Sequence, residues 1–263
     1  MPNDRPKVGL ACIAKDEDRY ILECILYHRE IGIEDIYVYQ NDWRWRPSYW
    51  ESQPSWLHLR EWDGTAAQIP AMNHAISTVD GVDWLCLLDC DEFLTVPGYA
   101  DVGGLCRGHE SDAAIVLNWR LFGSTETPEV DDGQPGVLHR FLKREAGFNH
   151  HVKSIVNLHK RCHISNPHCV DRRFLAVTPE GCPVRGPFNP EHPSRTAWIA
   201  HFYCKSWPEY RNRRCGTLRS DTGTRYDNGE DIAAMRKAFD EHNKKDVRDT
   251  SLRDVLYRPG EAR

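Results

Sequence analysis

The feature that most constrains the fold of this chain is a short apolar run, residues 84–88, that leads directly into Asp89-Cys90-Asp91. An apolar run of this length is typical of a strand that is buried on both faces of a sheet. Such strands occur in parallel sheets covered by helices, so the run predicts an α/β protein. Ligands of open α/β sheets bind beyond the carboxyl ends of the strands, which is where the two aspartates lie.

The first 40 residues predict a strand–helix–strand unit. An apolar strand at 8–14 is followed by apolar residues at helical spacing over 16–31, and a second strand follows at 36–39. Gly32 is a typical helix stop. This arrangement favours two parallel strands joined by a crossover helix.

The remaining elements continue this alternation and then become irregular. We predict strands at 57–59 and 113–117, a helix over 66–79, short strands at 137–141, 152–158 and 198–201, and a last helix over 231–243. No repeat or linker interrupts them, so we expect a single domain over residues 1–263.

Composition narrows the class of partner and the location. The chain has 263 residues and a formal net charge of -5, which argues against a protein that binds duplex nucleic acid. We see neither a signal peptide nor an apolar stretch near the ~20 residues of a membrane span. The expected location is the cytoplasm, with no transmembrane segment, although peripheral contact with a membrane-borne acceptor stays open.

The ten cysteines form no CxxC pair, so free and mostly buried thiols are the expected state in a reducing compartment. One alternative is a zinc site, because soft ligands cluster between residues 159 and 169. The spacing fits no established zinc motif. The candidate ligands are His159, Cys162, His163, His168 and Cys169.

Asp89 and Asp91 are the strongest candidates for chemistry. Alternate side chains of an extended segment point the same way, so both carboxylates are expected on one side and Cys90 in the core. Two carboxylates that close repel each other unless a cation lies between them. Mg²⁺ and Mn²⁺ prefer oxygen ligands and commonly bind substrate phosphates as well. The structural alternative is a solvated acidic turn.

Polar residues also follow the first two predicted strands. Lys15-Asp16-Glu17 comes after the first strand and Asn41-Asp42 after the second. If the sheet is parallel, these residues lie on the same edge as Asp89. Asp and Asn side chains at that edge could hold a base or a ribose by hydrogen bonds.

Taken together, these motifs resemble the glycosyltransferase family 2-like and family 92-like proteins. The matching pieces run in order along most of the chain, and residues 84–94 are the most specific of them. The others are residues 13–17, 22–28, 31–32, 37–41, Gln68, 118–124, 153–155 and 201–206.

The resemblance implies the GT-A fold, an α/β, Rossmann-like fold of nucleotide-diphospho-sugar transferases with a mixed central sheet flanked by helices. It implies transfer of a sugar, with inversion, from a nucleotide-sugar donor such as a UDP-sugar to a hydroxyl of a glycan or glycolipid. Mn²⁺ or Mg²⁺ would be the cofactor. Residues 1–130 would form the nucleotide-sugar-binding half and 131–263 a loop-rich, acceptor-side half.

The chain departs from the family pattern at three places. Lys15-Asp16-Glu17 replaces the usual Lys-Asn-Glu, and the stretch 125–128 replaces a small, Gly-His-containing segment. The usual His-Tyr pair reads His201-Phe202-Tyr203.

The resemblance also implies roles for individual residues. The metal ligands would be Asp89, Asp91 and His201. The donor-binding residues would be Lys15, Asp16, Glu17, Asn41, Asp42, Gln68, Asp89, Trp119 and Arg214. The catalytic residues would be Glu126, Asp91 and Lys153.

An inverting transfer also needs a general base and help for the departing diphosphate. Glu126 is the preferred base over Asp131, since both follow the segment 118–124 that should border the sugar. Trp119 is a candidate platform for a sugar ring. Cations near the C-terminus could contact phosphate oxygens: these are Lys205, Arg211, Arg213 and Arg214.

Each role has a structural alternative, namely core packing for Trp119 and His201, a surface position for Lys153, and a solvated basic face for the arginines. Two other functions also fit parts of the pattern. One is a nucleotidyltransferase or metal-dependent phosphohydrolase that uses Asp89 and Asp91. The other is a non-catalytic carbohydrate-binding protein that uses some of the nine tryptophans and ten tyrosines.

Overall fold

The fold is described from a computed structural model, which covers residues 5–42, 53–124, 126–130, 133, 136–215, 222–224 and 231–257. Helices are interspersed among the strands up to residue 121, and short strands dominate from there to residue 201. In chain order the elements are β1 (Val8–Ala14), α1 (Ile21–Glu30), β2 (Asp35–Gln40), β3 (Leu57–Glu61), α2 (Gln68–Thr78), β4 (Trp84–Leu87), β5 (Glu92–Thr95), α3 (Val102–Cys106), β6 (Ala114–Leu121), β7 (Lys143–Arg144), β8 (Val152–Asn157), β9 (Ile164–Asn166), β10 (Cys169–Val170), β11 (Ala176–Val177), β12 (Pro183–Val184), β13 (Trp198–His201), α4 (Trp207–Arg214), α5 (Ile232–His242), β14 (Val247–Arg248) and α6 (Ser251–Leu256).

The described residues form a ten-stranded mixed sheet in the order β12-β11-β6-β8-β4-β1-β2-β3, with β13 and β5 joined to it through β6. The strands β4, β1, β2 and β3 are mutually parallel. Their C-terminal ends therefore meet at one edge. We call this the carboxyl edge and define it by residues 15–17, 41–42, 62–68 and 88–91.

The antiparallel part of the sheet brings later segments next to these strands. β8 pairs antiparallel with both β4 and β6. β13 pairs parallel with β6 and antiparallel with β5, which starts directly after Asp91. Strands from beyond residue 130 are thus part of the same sheet as the first half of the chain, and they reach the carboxyl edge.

The central strand β1 is buried along its whole length, and its two faces contact different helices. Leu10 and Cys12 belong to a core cluster that contains residues of α1 and α3, whereas Ala11 and Ile13 pack in a second cluster with residues of α2. The alternation follows from the period of two of a strand. A sheet covered on both sides explains why the strands read as continuous apolar runs.

Most predicted elements are confirmed, including β1 with its bounds. The α/β class and the mixed central sheet flanked by helices are confirmed as well, and the arrangement is compatible with a Rossmann-like fold. The helix predicted over 16–31 begins only at Ile21, because residues 17–20 form a turn closed by bonds from the amides of Tyr20 and Ile21 to the carbonyl of Glu17.

The strand predicted at 137–141 is wrong. Its amides do not enter a ladder: the N–H groups of Val137 and Leu138 donate to Oε2 of the buried Glu23, at 2.5 and 3.3 Å. The N–H of Phe141 donates to the carbonyl of Val137, so the segment is a turn. Its apolar side chains are nevertheless buried, which is why the pattern resembled that of a strand.

Three short helices were not predicted, namely α3, α4 and α6, and neither were the short strands β5, β7, β9, β10, β11, β12 and β14. α6 follows the last predicted helix, and its Leu252 is buried in a cluster with Tyr27 of α1 and Phe93 of β5. Among the described residues, no helix has both the length and the apolar character that a membrane crossing requires.

Candidate functional site

The carboxyl edge brings together the polar residues that follow separate strands, as the sequence predicted. Lys15, after β1, forms an ion pair of 3.6 Å with Asp42, after β2. Glu17 lies 4.0 Å from the ammonium of Lys205, and the same ammonium lies 3.6 Å from Asp91. The parallel register of β1, β2 and β4 places these groups side by side because all three strands end at this edge.

Asp89 and Asp91 do not lie on an extended segment, so that expectation is wrong. The N–H of Glu92 donates to the carbonyl of Asp89 at 3.1 Å, which closes a turn. As a result the two carboxylates have different partners. Asp89 accepts from Nε2 of Gln68 at 2.5 Å and from Nζ of Lys153 at 3.0 Å. Cys90 is buried, as predicted.

Asp91 is buried and surrounded by cations. Its Oδ2 accepts from Nη1 of Arg213 at 2.9 Å and lies 3.6 Å from Nζ of Lys205, and its Oδ1 lies 3.5 Å from Nε2 of His201. Burial alone would raise the pKa of this carboxyl. Lys205, followed by His201 and Arg213, outweighs burial and lowers the pKa of Asp91 well below its usual range. The carboxylate is therefore charged at neutral pH.

Lys153 is held inside the protein by two carboxylates. It lies on β8, beside β4, and its ammonium is 3.0 Å from Asp89 and 3.1 Å from Glu92, which is completely buried. Burial opposes the charge of Lys153, but Asp89 and Glu92 outweigh it and raise its pKa. Glu92 also accepts from the backbone N–H of Asp89 at 2.8 Å, so it fixes the turn that carries both aspartates.

Trp119 and three imidazoles form an aromatic cluster next to these charges. The Trp119 ring on β6 lies 4.3 Å from His201, 4.7 Å from His151 and 5.1 Å from His168, measured between ring centroids. Trp119 is nearly buried, and its Nε1 has no hydrogen-bond partner among the described residues. The predicted platform therefore has its ring faces and edges covered largely by histidines.

His201 is buried between Asp91 and Glu92. Its buried Nδ1 lacks a hydrogen-bond partner in the described structure, and Glu92 Oε1, equally without a partner, is 4.0 Å away. The oxygens of Asp89 and Asp91 suit Mg²⁺ or Mn²⁺. Across the described ranges, no three His, Cys, Asp or Glu side chains stand together as a ligand set. Asp91 would have to leave its contacts with Arg213 and Lys205 before it could share an ion with Asp89.

Backbone strain is concentrated at this edge. Five non-glycine residues of the described chain have positive φ angles, and four of them belong to the carboxyl edge or contact it. Strained backbone of this kind persists where the surroundings impose it and is frequent at binding sites. The four are Asp16 (54°), Asp42 (51°), Ala66 (51°) and Lys205 (51°).

Other predicted residues have structural partners or lie apart. The buried amide of Asn41 donates to the carbonyls of Trp62 and Gly64, so it anchors the loop after β3. Asp16 is exposed at the edge. Arg214 donates to the hydroxyl of Tyr203, and its guanidinium lies 4.4 Å from the Tyr210 ring centroid.

The two candidates for the general base, Glu126 and Asp131, are considered in turn. Glu126 is exposed and forms an ion pair with Lys143, at the start of β7. Among the described residues, no contact connects Glu126 with Asp89, Asp91 or Trp119. Asp131 lies outside the described residues.

The candidate zinc ligands have separate partners. His159 pairs with Asp83 and His163 with Asp171, both at the surface. Nδ1 of His168 lies 3.1 Å from the carbonyl of Val152, and the Cys162 thiol donates to the carbonyl of Ala113. Within the described part of the chain they do not converge on one point, which agrees with the reading of free thiols.

Sequence reasoning missed one member of the site. His151 precedes β8 by one residue and stacks on Trp119. The signal was present, because His151 and Lys153 alternate with the buried Val152 and therefore share a face.

No model of a known protein family matches the chain, and a search of curated proteins finds no match either.

Proposed function

We propose that this protein is a metal-dependent glycosyltransferase of the GT-A type that moves a sugar from a nucleotide-sugar donor, a UDP-sugar in the first instance, to an acceptor hydroxyl. One observation carries the proposal. Two carboxylates, Asp89 and Asp91, lie at the carboxyl edge together with the cations Lys153, Lys205 and Arg213. A site with both signs of charge at the end of parallel strands suits a diphosphate and a divalent ion.

The donor would be bound by three groups of residues. The segments 15–17 and 41–42, with Gln68 beside them, would hold the base and ribose through hydrogen bonds. Lys205 and Arg213 would contact phosphate oxygens after leaving Asp91. Trp119, together with the histidines that cover its ring, would border the transferred sugar.

Mn²⁺ or Mg²⁺ would be held by Asp89 and Asp91 with His201, and when bound it neutralises charge that develops on the departing diphosphate. Lys153 positions Asp89 in this scheme and does not itself contact the substrate. Its buried ammonium orients one carboxylate oxygen and leaves the half-buried Asp89 with a defined position. The acceptor would be a glycan or glycolipid whose hydroxyl attacks the anomeric carbon of the donor sugar, with inversion at that carbon.

The test is thermal denaturation with a panel of nucleoside diphosphates and nucleotide sugars, each with and without Mn²⁺. A ligand that binds only the folded state raises the melting temperature by mass action. We expect one nucleotide to raise it only when Mn²⁺ is present. Asp91→Asn should abolish this rise, whereas Asp240→Asn, an exposed carboxylate on α5, should keep it.

The released product separates the enzyme classes. Nucleoside diphosphate indicates glycosyl transfer, pyrophosphate indicates nucleotidyl transfer, and inorganic phosphate indicates a phosphohydrolase. Sugar binding that needs no metal and gives no turnover would indicate a carbohydrate-binding protein. A nucleotide shift that is equal without Mn²⁺ would overturn the metal requirement and assign the diphosphate to Lys205 and Arg213 alone.

A further inference from the structure

A small cavity opens beside His151, the residue that stacks on Trp119. Its volume is about 260 Å³, and it is lined by Glu145, Phe148, Asn149, His150, His151 and Phe188. This is below the roughly 300–1,000 Å³ of pockets for larger ligands. The cavity therefore suits a single ring-sized polar group rather than an extended ligand.

His151 is the side chain that connects this cavity with the candidate site. Its ring stacks on Trp119 at 4.7 Å with an interplanar angle of 19°, and the edge of the exposed Phe188 meets it at 4.7 Å. Trp119 in turn contacts His201, which lies next to Asp91. His151 is therefore part of both the cavity wall and the ring cluster that borders the charged centre.

Hydrogen bonds determine the tautomer of His151. Oδ1 of Asn149 accepts from the backbone N–H of His151 at 3.0 Å, which identifies this atom as the amide oxygen. The same oxygen is 2.8 Å from Nδ1 of the ring. Because an amide oxygen only accepts, Nδ1 must carry the proton. Nε2 is then unprotonated, and no described residue donates to it.

The surroundings keep this imidazole neutral. Burial is the largest effect that lowers the pKa of His151, and the nearby His201, His150 and His242 lower it further. A neutral imidazole with a free Nε2 lone pair is the form that a general base requires. Glu126, the carboxylate favoured by the sequence, is exposed and paired with Lys143.

We propose that His151 is the general base that accepts the proton of the acceptor hydroxyl, with the acceptor bound in the cavity formed with Phe188. This rests on the proposed function. The hydroxyl proton passes to Nε2 while the oxygen forms a bond to the anomeric carbon. The bond from that carbon to the diphosphate breaks, the diphosphate leaves with the electron pair, and His151 later returns its proton to water.

The experiment compares His151→Gln with wild type in Mn²⁺, using the nucleotide sugar that gives the thermal shift and a panel of methyl glycosides as acceptors. Glutamine keeps a polar group near Nε2 but cannot take up the proton. Release of nucleoside diphosphate should fall by about 10²–10⁴-fold in kcat, the usual contribution of a general base. The nucleotide-induced thermal shift should stay as in wild type, and His163→Gln should behave as wild type.

A role in sugar binding alone would raise KM for the glycoside and leave kcat unchanged, which would overturn the proposal. Asn149→Leu keeps the ring but removes the acceptor that fixes its tautomer, so its kcat should lie between those of wild type and His151→Gln. It also provides a second measurement if the glutamine variant folds poorly.

Two further outcomes separate this inference from the proposed function. Turnover retained in His151→Gln but lost in Glu126→Gln would assign the base to Glu126 and overturn the proposal. A wild-type chain that shows neither a thermal shift nor nucleoside diphosphate release would overturn the glycosyltransferase function itself, and the role of His151 with it.

Discussion

Lys153 has almost no contact with solvent, and its charge is balanced by Asp89 and Glu92 on either side. Taking a charge out of water is costly, and only good geometry to opposite charges offsets that cost. One carboxylate is completely buried and the other is half-buried. The lysine therefore stabilises a turn that would otherwise bring uncompensated negative charges together.

Replacing this lysine should be among the most destabilising single changes near the site. Lys153→Met leaves Glu92 buried without its partner, and although burial raises the pKa of Glu92 and favours its protonation, the free energy of unfolding should fall by roughly 3–5 kcal/mol where the carboxylate stays charged. Denaturant unfolding at pH 7 measures this free energy for wild type and variant. The double variant Lys153→Met with Glu92→Gln removes the buried charge and should be more stable than the single variant. Equal stabilities would show that the pair is not energetically coupled.

At the scale of elements, the end of β6 depends on a close approach to the segment that follows α5. Gly123 donates its N–H to the carbonyl of Lys143 at 2.9 Å, and the next amide, of Ser124, donates to Oδ1 of Asn243 at 2.6 Å. A Cβ at Gly123 would overlap the carbonyl oxygen of Lys244. Only a residue without a side chain fits between these two backbones.

Gly123→Ala should therefore push α5 away from β6. We expect a loss of about 1–3 kcal/mol in the free energy of unfolding, the range typical of overpacking. Gly147→Ala is the matched control, because a Cβ there meets nothing within 4 Å, and it should stay within about 0.5 kcal/mol of wild type. A Gly123→Ala variant as stable as the control would mean that this contact is not tight in solution.

At the scale of the whole molecule, stability toward acid depends on buried neutral histidines. His28 on α1 is fully buried between this helix and β5. Its Nδ1 lies 2.8 Å from the carbonyl of Cys24, and its Nε2 accepts from the N–H of Leu94 at 3.2 Å. Protonation of Nε2 would break the second bond. Burial accordingly lowers the pKa of His28 to about 4.

A lowered pKa of a buried histidine means that the unfolded chain binds the proton first. Stability from His28 is complete above the unfolded pKa near 6.5 and is lost as pH falls from there toward 4. Between pH 7 and pH 4.5 the loss in the free energy of unfolding that is due to His28 is about 2–3 kcal/mol.

The check is denaturant unfolding at both pH values. His28→Asn should be less stable than wild type at pH 7 but should lose about 2–3 kcal/mol less on acidification. His192→Asn, at an exposed histidine, should lose as much as wild type. If acidification lowered the stability of His28→Asn as much as that of wild type, groups other than His28 would account for the acid sensitivity.

The amino-acid sequence alone is sufficient to locate β1, β2, β4 and the carboxyl edge, because their apolar runs and spacing reflect burial that each segment undergoes as a unit. The positions of Lys15–Glu17, Asn41–Asp42 and Asp89–Asp91 follow from that, since parallel strands end at the same edge. The segment 137–141 marks the limit of this reasoning. Its apolar residues are buried, but the backbone bonds go to Glu23 rather than to a strand.

Which cation meets which carboxylate is decided only by tertiary packing. Arg213 reaches Asp91 across 122 residues and Lys153 reaches Asp89 across 64, in both cases because a later segment returns to the carboxyl edge. The pairing of His151 with Trp119 likewise depends on β8 entering between β4 and β6. Local periodicity determines the faces of an element, whereas the partners of a charge depend on how distant elements pack, and neighbouring residues carry no signal of that.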